Sequence, residues 1–229
     1  MSGDNPAEAM KFLLHFVGDV HQPLHAENIE RGGNEICIKW HKGRSHHDTS
    51  SEPYDDGVYH GRVLGRRSRF SSNRPSDECP PHKKCTNLHS AWDTLMIEKL
   101  INYQQSDHDQ IREVEKAAAS EWAKKLFNDV EGNPSLNHND CVPVGDSDAA
   151  VDCALAWASE SNNYICSYVL KDGVDAVEGQ DLSGEYYEGA VPIIKSQVTR
   201  AARRFAALMD SLASSSSAGK HGQVVMNEL

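Results

Sequence analysis

The 229-residue chain has no run near the roughly 18 to 20 apolar residues that a membrane-spanning helix needs. It has no C-x-x-C pair, which argues against a cysteine zinc knuckle. It has no N-x-S/T acceptor with a permitted middle residue, so no N-linked glycan is expected. Its start, MSGDNPAEAMKFLLHF, lacks the basic leader, apolar stretch and cleavage site of a secretory signal. Read alone, that start points to the cytosol. Positive charge is also short: 23 Lys and Arg stand against 34 Asp and Glu, for a formal net charge of -11. A protein that grips nucleic acid through many phosphate contacts is basic. Any handling of nucleic acid here is therefore brief, or takes its positive charge from metal cations.

What is present fits one domain of ordinary size, with 38% hydrophobic residues to fill a helical core. Six cysteines occur, at Cys37, Cys79, Cys85, Cys141, Cys153 and Cys166. Cys79 with Cys85, and Cys141 with Cys153, are spaced for small disulfide loops, which would mean an oxidising compartment. Buried free thiols are the other reading, and spacing alone does not choose.

The pattern along the chain is mainly helical. Asp4 or Asn5 can cap a first helix, with Pro6 in its first turn; Met10, Leu13, Leu14 and Val17 keep helical spacing to about Gln22, and Pro23 ends it. Gly32-Gly33 marks a turn and "EICIKW" (35–40) alternates like a strand, with "VYHGRVL" (58–64) as a return strand. Residues 41–85 are rich in Ser, Arg, His and Pro without periodicity and read as a surface insertion, with "RRSRF" a local basic patch. Helical pattern resumes over 87–103, 109–130, 147–170 and 186–212. Residues 214–229 are Ser- and Gly-rich and read as a disordered tail after a helical domain spanning 1–213.

The stretch "HFVGDVHQPLH" (15–25) packs three histidines and an aspartate onto a helix that otherwise reads as apolar. His15 and Asp19 are four apart, about 40° of rotation, so they share a face. His21 is about 240° from His15 and faces elsewhere. His25 lies beyond Pro23 and can turn back toward His15 and Asp19. "HSAWD" repeats the spacing with His89 and Asp93. Each pair alone is accounted for by a hydrogen bond between the two side chains. Together, with His25, they suit a shared metal: nitrogen and carboxylate donors without cysteine fit zinc, and also iron or manganese. Gly33 and Asn34, in "GGN", allow close approach of a substrate and a polar contact to it, or simply make the turn into the strand.

"AMKFLLHFVGDVHQPLH", "GGNEICIKW" and "TNLHSAWDTLM", in that order, resemble the S1/P1 family of zinc-dependent nucleases, and "WASESNNYICSYVL" and the segment from "GEYYEGAV" onward resemble its carboxy-terminal half. The resemblance implies a mainly α, zinc phospholipase C-like helical fold with a small β-hairpin element. It implies three zinc ions in one cleft, cleavage of single-stranded DNA and RNA to 5′-nucleotides, and 3′-nucleotidase activity. His15 matches a ligand of the first zinc. Asp19 matches the carboxylate that bridges first and third and is the catalytic candidate. His25, His89 and Asp93 match the ligands of the second. Gly33 and Asn34 match the approach to the base pocket. The family's remaining ligands, a leading Trp among them, lie upstream of the His15 motif, and none is among the fourteen residues before it here. One zinc and little hydrolysis are therefore expected of this chain. The partner of Cys166 is likewise expected upstream. The resemblance implies secretion of the full-length parent; a monomer is the default expectation, and the lack of a long apolar run means no membrane attachment is expected. Two other readings stay open: a phospholipase C-like phosphodiesterase, and a non-catalytic metal-binding domain.

Overall fold

The computed structural model describes residues 5–41, 86–102, 111–131, 141 and 147–225. The return strand expected at 58–64, the basic patch, the Cys79/Cys85 pair, nearly all of the 41–85 insertion and the last four residues lie outside these.

Asn5 begins α1 (Pro6–Asp19). Its side-chain oxygen accepts from Ala7 N at 3.2 Å and Glu8 N at 3.4 Å, and Pro6 sits where its missing N–H costs nothing. The helix stops at Asp19, three residues before the expected Gln22. Gln22 is extended, and its side chain caps the following 3-10 turn (Pro23–Ala26) by accepting from Leu24 N at 2.5 Å. The turn at Glu30–Gly33 is left-handed, with φ of 46°, 56°, 66° and 77° along its four residues.

That turn feeds β1 (Cys37–Ile38), which pairs antiparallel with β2 (Thr86–Asn87), Cys37 facing Asn87 and Ile38 facing Thr86. The six-residue strand expected over 35–40 keeps only two ladder residues. Lys39 turns to another partner: its N–H donates to Gln180 O at 2.8 Å, and its carbonyl accepts from Leu182 N at 3.1 Å.

Asn87 caps α2 through Ser90 N at 2.7 Å. This helix has three consecutive parts, Leu88–Ser90, a π-helical turn over Ala91–Leu95, and Met96–Leu100. α3 spans Ile111–Glu131 and α4 spans Ser147–Tyr164, with a second π-helical turn over Ile165–Val169. α5 runs from Glu185 to Val225. The sequence reading ends it near Leu212 and leaves the rest unfolded. Elongating a formed helix costs little, and no proline interrupts the Ser-rich run, so the backbone stays helical over 214–225.

Two apolar clusters hold these elements. The larger joins Ile36 and Ile38 of the β element to Leu88, Trp92 and Met96 of α2, Val169 and Ala190. Tyr186 ties it together, accepting from Trp92 Nε1 at 3.2 Å and donating to Val169 O at 3.0 Å; burial pushes its phenol pKa up, so it stays neutral. The smaller cluster packs Leu13 and Val17 of α1 on Cys153, Trp157 and Phe205. Cys141 and Cys153 form a disulfide, one of the two pairings their spacing allows. Cys166 is an exposed free thiol. Among the described residues no helix is long and apolar enough to cross a membrane. The observed mainly helical architecture with one small antiparallel pair is the fold class the sequence indicates.

Asp181 closes the junction between β1 and the start of α5. It accepts from Ser183 N at 3.0 Å, Ser183 Oγ at 2.7 Å and His41 Nδ1 at 2.8 Å. Burial works against its ionisation, but the bonds from Ser183 and His41 outweigh burial and hold its pKa below the ordinary carboxylate value. A depressed folded pKa gives stability that is complete above the unfolded value of about 3.9 and is lost as pH falls through the folded one. Asp181→Asn is therefore expected to flatten the acid limb of a stability-versus-pH curve below about pH 4. Thermal melts between pH 2.5 and 7 check this, and parallel curves for the two proteins would contradict it.

Candidate metal centre

The site is assembled by three local devices. α1 ends at Asp19, so His15 and Asp19 share its last turn, with His15 Nε2 3.2 Å from Asp19 Oδ2. The 3-10 turn that follows brings His25 back toward them, with Nδ1 3.7 Å from Asp19 Oδ1. The π-helical turn of α2 then presents Asp93 beside His89, Nε2 to Oδ2 at 3.1 Å. Single π turns are rare and recur at functional sites. The wider turn here sets a residue and its fourth neighbour more nearly above one another.

The two helices meet at His25. Its Nε2 is 3.3 Å from Asp93 Oδ1, and its ring stacks on His89 with centroids 4.9 Å apart and planes at 15°. Donor atoms of His25, His89 and Asp93 all lie within 4.8 Å of one another. Four ligands at about 2.0–2.1 Å from zinc in a tetrahedron stand roughly 3.3 Å apart, so the nitrogen–oxygen spacings here suit one small cation. Two imidazoles and one carboxylate, with a position left toward a cleft, are a donor set of the catalytic rather than the closed structural kind.

Each histidine is oriented from behind. His89 Nδ1 donates to Gly32 O at 2.7 Å, which turns Nε2 to Asp93; protonated, Nε2 pairs with the carboxylate, and neutral it would offer its lone pair to a cation. His25 turns Nδ1 to the Asp19 carboxylate and Nε2 to the cluster. Gln22 Nε2 donates to Asp93 Oδ1 at 2.8 Å. Burial raises the pKa of Asp93, yet the hydrogen bonds from His25, His89 and Gln22 overcome it and hold the carboxyl far below its ordinary range. The same contact with Asp93 raises the pKa of His89 against the opposing effect of burial, with the Gly32 carbonyl adding to the rise.

A cleft of about 620 Å³ opens at the cluster, lined by Phe16, Asp19, His25, Glu27, Arg31, Gly32 and His89 among others. His15 stands outside this lining, with its side chain 65% exposed and paired with Asp19. Gly32 rather than Gly33 faces the cleft. Gly33 turns inward, where a Cβ would press on Leu24 and Leu88 at 3.3 and 3.4 Å. Asn34 is exposed and folds its amide back to Arg31 O at 2.9 Å. Sequence reasoning missed Gln22 and the Gly32 carbonyl. Gln22 could have been noticed as the polar residue before Pro23; a backbone carbonyl leaves no sequence signal.

A helical scaffold carrying two H-x-x-x-D pairs and a returning histidine in one cleft is the class that the fold and site define. The family model described as S1/P1 Nuclease matches residues 1–50 and 78–214, and the chain belongs to that family. It is 30% identical over 214 residues to Nuclease S1 of Aspergillus oryzae, covering 93% of this chain and 57% of that protein. It is 30% identical to Nuclease P1 of Penicillium citrinum over 90% of this chain and 58% of the other. With Endonuclease 4 of Arabidopsis thaliana the identity is 26%, over 92% and 52%. The chain thus spans a little over half the length of the curated relatives it matches.

Gly32 carries the sharpest local test. Its φ is 66°, and a Cβ there would lie 2.8 Å from Leu24 O and 3.6 Å from His89 Nδ1. Gly32→Ala is expected to shift the carbonyl that orients His89 and to weaken metal binding by about 10- to 100-fold, as loss of an orienting partner does. Competition with a chromophoric chelator measures it; unchanged affinity would show that the carbonyl does not set the site.

Proposed function

We propose that this chain carries the hydrolytic metal centre of a zinc-dependent nuclease acting on single-stranded DNA and RNA to give 5′-nucleotides, with 3′-nucleotidase activity. The observation that carries the proposal is the convergence of His25, His89 and Asp93 from two separate motifs at the wall of an open cleft. The names of the relatives, nucleases and endonucleases, agree with it.

In this reading His25 and His89 bind zinc through Nε2, and Asp93 binds it through a carboxylate oxygen. Bound zinc supplies Lewis acidity and positive charge for a phosphodiester, which offsets the formal charge of -11. Asp19 faces the cleft beside His25 and is placed to take the proton of the attacking water. The water oxygen bonds to phosphorus, the bond from phosphorus to the 3′ oxygen breaks, and that oxygen leaves with a proton from solvent. Arg31 lines the same cleft and offers a guanidinium to a phosphate. Gly32 of the left-handed turn leaves the substrate side open, with Gly33 packed behind it and Asn34 exposed just after the turn. His15 and Asp19 supply part of a further zinc site. The Cys141–Cys153 disulfide supports an oxidising compartment and a secreted parent.

The expected result for the purified chain is one zinc per molecule by elemental analysis. Slow cleavage of single-stranded DNA, abolished by a chelator and by Asp93→Asn, is expected with it, and no release of headgroup from phosphatidylcholine. Zinc uptake without any cleavage would leave a metal-binding domain and sink the nuclease assignment. No zinc uptake would sink both.

A further inference from the structure

His21 sits in sequence between Asp19 and His25 yet turns its side chain away from the cluster. It is 3% exposed and lies where α1 meets α4 and α5. Its Nδ1 is 2.6 Å from Val17 O and its Nε2 is 2.6 Å from Arg204 Nη1. A guanidinium can only donate, so Nε2 carries the lone pair and the proton is on Nδ1, donating to Val17 O. One neutral tautomer is therefore fixed by geometry.

Arg204 is held as firmly. Its side chain is 4% exposed, it donates to Glu160 Oε2 at 2.6 Å, and it lies over the Trp157 ring at 5.3 Å from the centroid. Glu160 also pairs with Arg200. The main chain of the same bend is gripped in parallel. Gln197 Nε2 donates to His21 O at 3.0 Å and to Ser161 Oγ at 2.8 Å, and Ser161 Oγ donates to Val20 O at 2.6 Å. Burying a guanidinium is costly even when it is paired, and apolar packing would stabilise a helix junction at least as well. The polar clamp instead fixes the bend where the chain leaves Asp19 and turns to Gln22 and His25.

We propose that His21 is a positioning residue of the metal centre: through Arg204 it locks the bend that spaces Asp19, Gln22 and His25 about Asp93. This rests on the metal-centre reading. Gln22 is adjacent to His21, so a shift of the bend moves the amide that holds Asp93.

The test uses the full chain, zinc affinity by chelator competition, and the visible spectrum of the cobalt(II)-loaded protein, which reports ligand geometry. His21→Asn keeps a donor near the Nδ1 position but cannot reach Arg204. His21→Gln places an acceptor near the Nε2 position. Expected is about a tenfold loss of zinc affinity and a changed cobalt spectrum for His21→Asn, with near wild-type values for His21→Gln. Leu208→Ala is the stability control, since Leu208 is buried in α5 outside the clamp; it is expected to lower the melting temperature and leave affinity and spectrum unchanged. The proposal is overturned if His21→Asn binds zinc as wild type does, or if Leu208→Ala weakens zinc as much. Arg204→Met breaks the same link from the other side, so it decides the matter if a His21 variant does not fold. Absence of zinc uptake by the wild-type chain is read separately, and it overturns the metal centre and this proposal together.

Discussion

The site depends on one carboxylate, about a third exposed, on which three side chains converge. Asp93 collects contacts from Gln22, His25 and His89, which come from two segments far apart in the chain. Without it, two half-buried imidazoles would face each other with no common partner. A carboxylate can accept at both oxygens, and here both are used, which explains why burial fails to neutralise it. The same ionised group that joins the segments is the one a cation would need.

Around that carboxylate the backbone departs from regular geometry in two places. The π-helical turn widens α2 at Asp93, and the left-handed turn at Glu30–Gly33 aims the Gly32 carbonyl at His89. Left-handed backbone costs a non-glycine residue about 1–2 kcal/mol, and Glu30 and Arg31 both adopt it. Such conformations persist where the surroundings over-determine them, and they gather at functional sites. The bend after α1 takes hydrogen bonds from Ser161 of α4 and Gln197 of α5 in addition to those among its own residues. Helices α1 and α2 supply the rigid elements, while the irregular turns between and within them direct the side chains of the cluster.

Much of this was legible in the sequence for local reasons. The H-x-x-x-D pairs share a helix face by arithmetic, Pro23 stops α1, and the spacing of Cys141 and Cys153 permits a short disulfide loop. The helix ends were less legible. Gln22 looks like a helix residue until its side chain caps the next turn. The strand over 35–40 looks longer than it is because its alternation also serves packing, as with buried Ile36 and Ile38, and Lys39 spends its backbone bonds on Gln180 and Leu182.

The sequence by itself determined which side chains could bind a metal and on which faces of α1 and α2 they stand, because helical spacing is a property of neighbours. It also set the mainly helical class and the family. Only the tertiary structure decided how His25 stacks on His89 and meets Asp93, that Gly32 rather than Gly33 faces the cleft, and that Arg204 reaches His21. Those contacts join residues 68, 57 and 183 positions apart or depend on the left-handed turn, and no local pattern encodes them. They follow from how α1, α2, α4 and α5 pack, and packing is settled by the whole core at once.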